Sequence, residues 1–181
     1  MNGNVHAAIG FGSLTLFCLQ NPLGLILPST NIKVIPAIGL ATVILGSYMP
    51  DIDMQTTHMG HQHKTASKMI NKVGGGHRGI THTLLVPTLC VIAMYFADAL
   101  LNQYKFINIG LQSVIFGFVY GYIAHIIADM FNGKGTPILW PISRNKISVM
   151  DLPSTGIIPW IFTVIVLVTQ AGIMFGGQFL C

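Results

Sequence analysis

Charged side chains are scarce in this sequence. Only 8% of its 181 residues are Asp, Glu, Lys or Arg, whereas roughly 25% are charged in a typical soluble domain. Hydrophobic residues make up 52% of the chain, and the mean hydropathy is +0.67. Several uncharged stretches approach or exceed the roughly 20 residues that a helix needs to cross a bilayer. The composition therefore predicts an all-α, polytopic transmembrane bundle, formed by a single domain over residues 1–181.

Paired cysteines and a signal peptide are also lacking. Cys18, Cys90 and Cys181 show no paired spacing, so we expect no disulfide framework and no thiolate metal site. No cluster of Lys or Arg precedes the first apolar run, so we expect no cleavable signal peptide. The net charge is +4, and the basic residues lie in loops beside apolar segments. This placement suits anionic lipid headgroups, so the expected partner is the bilayer and not nucleic acid.

Five membrane spans are predicted. The first ends near Asn21-Pro22, because proline disfavours helix in the residue before it. Residues 23–28 then form a short apolar return, or else the first helix continues with a kink at Pro22. The spans cover about 5–20, 32–49, 81–101, 106–130 and 156–175.

Residues 54–76 are the most polar part of the chain. Within them, Lys64–Val73 is predicted to form a short surface helix. The segment also holds three histidines, His58, His61 and His63. Their spacing invites a metal interpretation, but the surrounding Gln, Thr and Lys residues favour a solvated, mobile loop.

A second polar segment, residues 131–155, is predicted to be an interfacial loop. Trp140 would anchor it at the membrane surface, with its basic residues facing headgroups. On the opposite side, Asp98 ends the third span close to Lys105, so we expect Asp98 to be a surface partner and not a catalytic group.

The stretch Gly76–Thr83 places two histidines and an arginine directly before a long apolar run. On one helix, His77 and His82 would point about 140° apart, so we expect His77 and Arg78 to end a loop. Thr81 would then cap the third span, and His82 would lie in its first turn. Neutral imidazole is the commonest metal ligand of proteins, and the planar guanidinium suits phosphate.

Two aspartates lie at the end of the second span. Asp51 and Asp53 follow Pro50, and carboxylates so close repel each other unless a cation or a base lies between them. We therefore interpret this pair as part of a metal site.

The fourth span carries a stripe with a period of four. Gly117, Gly121, His125 and Asp129 lie along one face of the helix. The glycines allow close packing, and a histidine one turn from an aspartate can bind the same ion. Ionisable groups at this depth are expensive unless they are paired or functional.

The predicted topology gathers these groups at one end. The N-terminus, residues 50–80 and residues 131–155 share one side, which carries seven of the nine Lys and Arg residues. That excess predicts a cytoplasmic N-terminus and an external C-terminus. The candidate ligands at the cytoplasmic end are His6, Asp51, Asp53, His77, His82, His125 and Asp129. Nitrogen and oxygen ligands without thiolate suit one to three divalent ions, with zinc favoured over manganese or iron.

Several ordered motifs resemble the YdjM family. They are Pro50-Asp51-Ile52-Asp53, His77–His82, His125–Asp129 and Gly135–Pro141. The resemblance covers the chain from His6 to about residue 145. It implies a bacterial inner-membrane protein of a kind described as a metal-dependent hydrolase; one member is LexA-regulated. The family is also distantly similar to zinc-dependent phospholipase C and related nucleases. Thr83 departs from the Ser of most members, and the histidine-rich stretch 58–63 is unusual for the family.

Residues and resemblance together predict a membrane-bound, metal-dependent hydrolase that cleaves a phosphoester of a lipid or another amphiphile at the cytoplasmic leaflet. Asp51 or Asp53 would act as general base, and Arg78 would hold the phosphate, with Thr81 and Arg144 as further substrate contacts. The main alternative is a transporter or channel for metal ions or protons. Against it, the ligands gather at one end and no internal repeat is visible. A metal-stabilised scaffold without activity is the third interpretation.

Overall fold

The computed structural model describes residues 3–20, 25–26, 33–74, 78–101 and 103–175. Within them the regular elements are helices and one antiparallel pair of two-residue strands, and residues 131–157 form a loop with two isolated β-bridges. In chain order the elements are α1 (Gly3–Gln20), β1 (Leu25–Ile26), β2 (Lys33–Val34), α2 (Pro36–Tyr48), a first 3₁₀ turn (Met49–Asp53), α3 (His58–Gln62), α4 (Lys64–Val73), a second 3₁₀ turn (Ile80–His82), α5 (Leu85–Leu101), α6 (Lys105–Met130) and α7 (Ile158–Phe175). The prediction of an all-α fold is confirmed.

Helix α6 lies at the centre of the bundle, where it contacts α1, α2 and α5. It packs most extensively on α2, because glycines let the two backbones approach. A Cβ added at Gly121 would collide with the carbonyl oxygen of Val43, and one added at Gly117 would collide with that of Gly39. The predicted stripe of small residues therefore is the contact face. This contact places the last turns of α6 beside the 3₁₀ turn that follows α2.

Helix α5 packs on the other side of α6 and is joined to it by a polar contact. Asp98 Oδ1 accepts hydrogen bonds from Asn108 Nδ2 and Gln112 Nε2, both at 2.7 Å. Within the described residues these two amides, and not the Lys105 expected from sequence proximity, hold Asp98. The amides are one turn apart on α6, so both can reach the same carboxylate oxygen.

The second helix differs from its predicted bounds. Helix α2 begins at Pro36, later than the expected start at residue 32, because Lys33–Val34 pairs with Leu25–Ile26 as a strand. Proline in the first turn of a helix loses no intrahelical hydrogen bond, which explains the start at Pro36. The alternatives for residues 23–28 lie mostly outside the described residues.

The polar segment after α2 is more ordered than predicted. Lys64–Val73 forms α4, as expected, but His58–Gln62 forms the short helix α3 instead of a loop. Thr57 explains the difference, because its Oγ1 accepts the N–H of Gly60 at 3.3 Å and donates to the carbonyl of Asp51 at 2.6 Å. The prediction of a loop is therefore wrong at His58 and His61, which lie in α3, whereas His63 lies between α3 and α4.

The third predicted span begins late as well. Helix α5 starts at Leu85, whose N–H donates to Thr83 Oγ1 at 3.2 Å. Pro87 lies in the first turn, where a missing N–H leaves no hydrogen bond unmade. Thr81 and His82 precede the helix, in the second 3₁₀ turn. The prediction that Thr81 caps this helix and that His82 lies in its first turn is thus wrong.

Two of the described helices are long and apolar enough to cross a membrane, α6 with 26 residues and α7 with 18. Helices α1 and α5 are apolar but shorter by the same criterion. Helix α2 has 13 residues and is about 20 Å long at a rise of 1.5 Å per residue. Half of the apolar window of α6 is buried in the bundle, against 11% for α7. Most of the α7 surface is therefore open to the surroundings of the protein.

Candidate metal centre

Five histidine and aspartate side chains meet at one end of the bundle. His6 comes from α1, Asp51 from the first 3₁₀ turn, His82 from the second, and His125 and Asp129 from α6. The three histidines have 0% exposure, Asp129 has 2% and Asp51 has 7%. His6, His125 and Asp129 form one group with ligand atoms within 4.8 Å of one another, and Asp51, His82 and His125 form a second. The structure thus brings together five of the seven predicted ligands.

Four donor atoms of this cluster form a closed ring, which we call the donor ring. His82 Nε2 lies 3.7 Å from Asp51 Oδ1 and 3.5 Å from Asp129 Oδ2. His125 Nε2 lies 3.7 Å and 3.8 Å from the same two oxygens. Ligands of a tetrahedral zinc ion with bonds of about 2.0–2.1 Å lie about 3.3–3.4 Å apart. The four sides of the donor ring are therefore slightly longer than the edges of such a site, and its residues fall into two overlapping groups of three that share His125.

His6 lies beside the donor ring. Its Nε2 is 3.3 Å from Asp129 Oδ1, the oxygen that faces away from the other two histidines. Its ring stacks on His125, with centroids 3.8 Å apart and an interplanar angle of 25°. One carboxylate oxygen of Asp129 lies near His6, and the other lies near His82 and His125. His6 can therefore supply a fifth donor to the same ion. Alternatively, it can form part of a second site that Asp129 bridges to the first.

A backbone carbonyl orients the His125 ring. Its Nδ1 lies 2.7 Å from the carbonyl oxygen of Ser47, at the end of α2. A carbonyl can only accept, so Nδ1 carries the hydrogen and Nε2 presents a lone pair to the donor ring. Nε2 is buried and makes no hydrogen bond within the described residues. A buried lone pair held in this way suits a metal ligand, whose other nitrogen commonly donates to a carbonyl or carboxylate.

Asp53 has different surroundings from Asp51. Its Oδ2 accepts the backbone N–H of Arg78 at 3.0 Å and the hydroxyl of Thr81 at 2.8 Å, and it lies 3.7 Å from His82 Nδ1. Asp53 contributes no atom to either ligand group among the described residues. It holds the second 3₁₀ turn through Thr81, whose Oγ1 lies 3.1 Å from His82 Nδ1, so Asp53 supports the His82 ring through this hydroxyl. The Thr81 hydroxyl donates to Asp53, which is why Thr81 does not cap α5.

Arg78 contacts the cluster through the carboxylate of Asp129. Its Nη2 is 3.0 Å from Asp129 Oδ2, and its Nη1 donates to the carbonyl oxygen of Gly135 at 3.0 Å. Arg78 is buried and has φ of 61°, a left-handed conformation that is uncommon for residues other than glycine. Its guanidinium therefore compensates part of the negative charge of the cluster and positions Asp129. Whether it also contacts a phosphate stays a prediction.

Asp51 is the member of the donor ring that borders open space. Burial raises the pKa of its carboxyl, but hydrogen bonding with His82 and the proximity of the His125 and His6 rings outweigh this effect and lower the pKa to about 2. Asp51 is therefore ionised at neutral pH. It lines a pocket of about 360 Å³ with both polar and apolar walls, the apolar ones including Met54 and Met59, and we call it the Asp51 pocket. Other residues that line the pocket are Asn4, Tyr48, Thr57, His58, Ser154 and Thr155.

The remaining predicted site residues to be placed are His77 and Arg144. His77 lies outside the described residues. Arg144 is exposed and lines a separate pocket of about 260 Å³ with Arg78, Trp140 and Lys146. This basic pocket shares Arg78 with the cluster but none of the five candidate ligands.

Three contacts of the site were not predicted from the sequence. They are the carbonyl of Ser47 on His125, the carbonyl of Gly135 on Arg78, and the hydroxyl of Tyr122, which donates to the carbonyl of Thr81 at 2.5 Å. Backbone carbonyls leave no signature in a sequence. Tyr122 does carry a signal, because a hydroxyl inside an apolar span needs a partner.

The family of the chain follows from comparison with known proteins. A family model described as YdjM inner membrane protein matches residues 1–179. Two curated relatives, each named Inner membrane protein YdjM, come from Escherichia coli (strain K12) and Shigella flexneri. Each is 36% identical over 100 residues, which are 55% of this chain and 47% of the relative, so the chain spans about half the length of these relatives. No solved structure matches it. The chain belongs to the YdjM family of inner membrane proteins.

Proposed function

We propose that this chain is a membrane-bound, metal-dependent hydrolase that cleaves a phosphoester at the cytoplasmic end of the bundle. The observation that carries the proposal is the donor ring of Asp51, His82, His125 and Asp129, with sides of 3.5–3.8 Å. Buried carboxylates and imidazoles are costly unless they are paired, hydrogen-bonded or bound to an ion. The donor set, nitrogen and oxygen without thiolate, favours zinc, with manganese and iron as alternatives.

The residues present fit one divalent ion in the donor ring, with His6 as a further donor. Such an ion lowers the pKa of a bound water towards neutrality and offsets charge on the leaving oxygen. The chain itself holds and orients the ligands, through the Ser47 carbonyl on His125 and the Thr81 hydroxyl on His82. The Asp51 carboxylate lines the Asp51 pocket. We therefore propose that it accepts a proton from the attacking water. Asp53, the other predicted base, is engaged by Arg78 and Thr81.

The basic pocket has a separate role in this proposal. Arg144 and Lys146 are exposed at its mouth, beside the half-buried ring of Trp140. An indole beside cations is typical of the membrane–water interface, where the cations meet anionic headgroups. We assign Arg144 to the membrane surface and Arg78 to the positioning of Asp129.

The proposal includes five membrane crossings, with the N-terminus in the cytoplasm. A reporter fused after Asn71 is expected to read cytoplasmic and one fused after Cys181 external, because seven of the nine basic residues lie on the side of Asn71. Paired alkaline phosphatase and green fluorescent protein fusions measure this. If both fusions read the same side, an even number of spans separates them and the five-span arrangement is wrong.

Metal removal tests the hydrolase itself. Protein purified from membranes is expected to carry about one divalent ion per chain, as the four-donor ring implies. It should hydrolyse members of a panel of phosphodiesters and phosphomonoesters, lose this activity with a chelator, and regain it with zinc, manganese or iron. Elemental analysis and product release measure the two properties on the same sample.

The same samples separate the alternatives. Full metal occupancy without turnover on the panel would favour a metal-stabilised scaffold. Metal uptake into proteoliposomes, again without turnover, would favour a transporter. Either result contradicts the proposed hydrolase.

A further inference from the structure

An apolar groove lies between α1, α6 and α7. It encloses about 410 Å³, far more than the roughly 30 Å³ that one water molecule takes in the liquid. Its walls are hydrophobic side chains that include Ile9 on α1, Ile123 and Ile127 on α6, and Phe162 and Val166 on α7. None of the described residues that line it is charged. The groove therefore suits an apolar occupant.

The groove is continuous with the surface that the protein turns to the bilayer. Only 11% of the apolar window of α7 is buried, and Ile127 on the α6 wall is 50% exposed. For an inner membrane protein, an apolar surface of this kind is in contact with lipid. The space between α7 and α6 therefore opens to acyl chains of the membrane.

The groove and the Asp51 pocket are stacked along the same two helices. On α1, Asn4 lines the Asp51 pocket and Ile9 lines the groove, a separation of about 7.5 Å along the helix axis. At α7, Thr155 lines the Asp51 pocket just before the helix begins, and Phe162 lines the groove. A space of mixed polarity beside the donor ring thus lies next to an apolar space that faces the bilayer.

The α6 wall of the groove also belongs to the metal centre. Ala124 and Ala128 line the groove, while His125 and Asp129, each the next residue along the helix, turn into the cluster. On α1, Ile9 lies one turn after His6. The two helices that carry His6, His125 and Asp129 therefore also form walls of the groove, with ligands and groove residues about 60–100° apart around each helix axis.

We infer that this groove binds one acyl chain of a membrane lipid and thereby holds the lipid's polar end in the Asp51 pocket, beside the donor ring. The inference rests on the proposed function for the reaction at the polar end, and it names the substrate class as a lipid with an intact acyl chain. Binding of the chain itself depends only on the shape and apolarity of the groove. It can therefore be measured without turnover.

Photocrosslinking of an acyl chain tests the inference. The full chain is reconstituted in vesicles of phosphatidylethanolamine and phosphatidylglycerol that contain a phosphatidylethanolamine with a diazirine in its acyl chain. Labelling is expected at Ile123 and Phe162, and it should saturate and be competed by unlabelled lipid. Labelling of the outer face of α7, at Val164 and Val168, reports ordinary surrounding lipid and should not saturate.

Two substitutions fill the groove from different helices, so that one remains informative if the other does not fold. Ala124→Phe on α6 and Val166→Phe on α7 should each lower the saturable labelling at least about tenfold, equivalent to about 1.4 kcal/mol. Leu89→Phe, on the exposed face of α5, is the matched control and should leave labelling unchanged. Metal content should stay at the parental value in all three variants, which shows that the donor ring is intact.

The outcomes distinguish a failure of the inferred lipid binding in the groove from a failure of the proposed hydrolase activity. Labelling that never saturates, is spread evenly around α7 and is unchanged by both substitutions overturns the inference, because the lipid there is then only surrounding lipid. Saturable labelling of the groove supports it, even if the parent hydrolyses no phosphoester and the proposed function is lost. If hydrolysis of long-chain phosphoesters falls in both variants while that of a soluble short ester is kept, the acyl chain also positions the substrate.

Discussion

Asp129→Asn is expected to lose more than about 100-fold in metal affinity, since even outer-shell partners of metal ligands contribute 10–100-fold. The Asp129 carboxylate contacts His6, His82, His125 and the Arg78 guanidinium, so the single change acts on the whole cluster. It also leaves Arg78 buried without its carboxylate, which is expected to destabilise the protein by about 3–5 kcal/mol. Elemental analysis and thermal unfolding in detergent measure the two effects.

Asp51→Asn distinguishes the loss of metal affinity from the loss of stability, which Asp129→Asn is expected to combine. Asp51 lies 3.7 Å from His82 Nε2 and from His125 Nε2 but forms no ion pair with an arginine among the described residues. We therefore expect Asp51→Asn to lose metal with a much smaller loss of stability. His61→Ala, on the exposed surface of α3, is the control and should retain parental metal content. If His61→Ala strips the metal while Asp129→Asn keeps it, the ion binds at the surface histidines and the donor ring is not the site.

Gly121→Ala is expected to destabilise the protein by about 1–3 kcal/mol, the usual effect of forcing an extra methyl group into a packed interface. The new Cβ would collide with the carbonyl oxygen of Val43 and approach the backbone nitrogen of Ser47. Because the carbonyl of Ser47 orients His125, a shift of α2 should also lower metal affinity by about tenfold. Unfolding midpoints and metal titration measure these two changes.

The same helix supplies the control. A Cβ at Gly110 would have no atom within 4 Å, so Gly110→Ala should stabilise α6 by up to about 1 kcal/mol through its better helix propensity. Metal affinity should not change. If Gly121→Ala and Gly110→Ala behave alike, the close packing of α2 on α6 does not support the centre.

Features of the site that repeat along one helix could be predicted from the sequence. His125 and Asp129 are one turn apart and follow the glycines of the same face, so their position depends only on the geometry of α6. The helix at Lys64–Val73 was predicted for a similar local reason. These inferences required no knowledge of what the other helices do.

Features that depend on contacts between distant segments could not be predicted. His82 lies in a 3₁₀ turn because Asp53, far away in sequence, binds the Thr81 hydroxyl and the Arg78 amide. The local sequence favoured a helix cap at Thr81, and the long-range hydrogen bonds outweigh that preference. The chemistry of the guanidinium alone predicts that Arg78 binds phosphate. Its contacts with Asp129 and Gly135 exist only in the folded bundle, so the sequence does not reveal them.

The wide spacing of the ligands along the chain has a consequence for biogenesis. The donor ring uses residues from Asp51 to Asp129, so a nascent chain cannot complete it until α6 has left the ribosome and entered the membrane. An ion that binds only the complete ring stabilises the assembled bundle by RT ln(1 + [L]/Kd), which amounts to about 2.7 kcal/mol at one hundred times Kd. Metal supply would then act on the last stage of assembly, and chains made without metal would persist as inserted but loosely packed helices, exposed to membrane proteases.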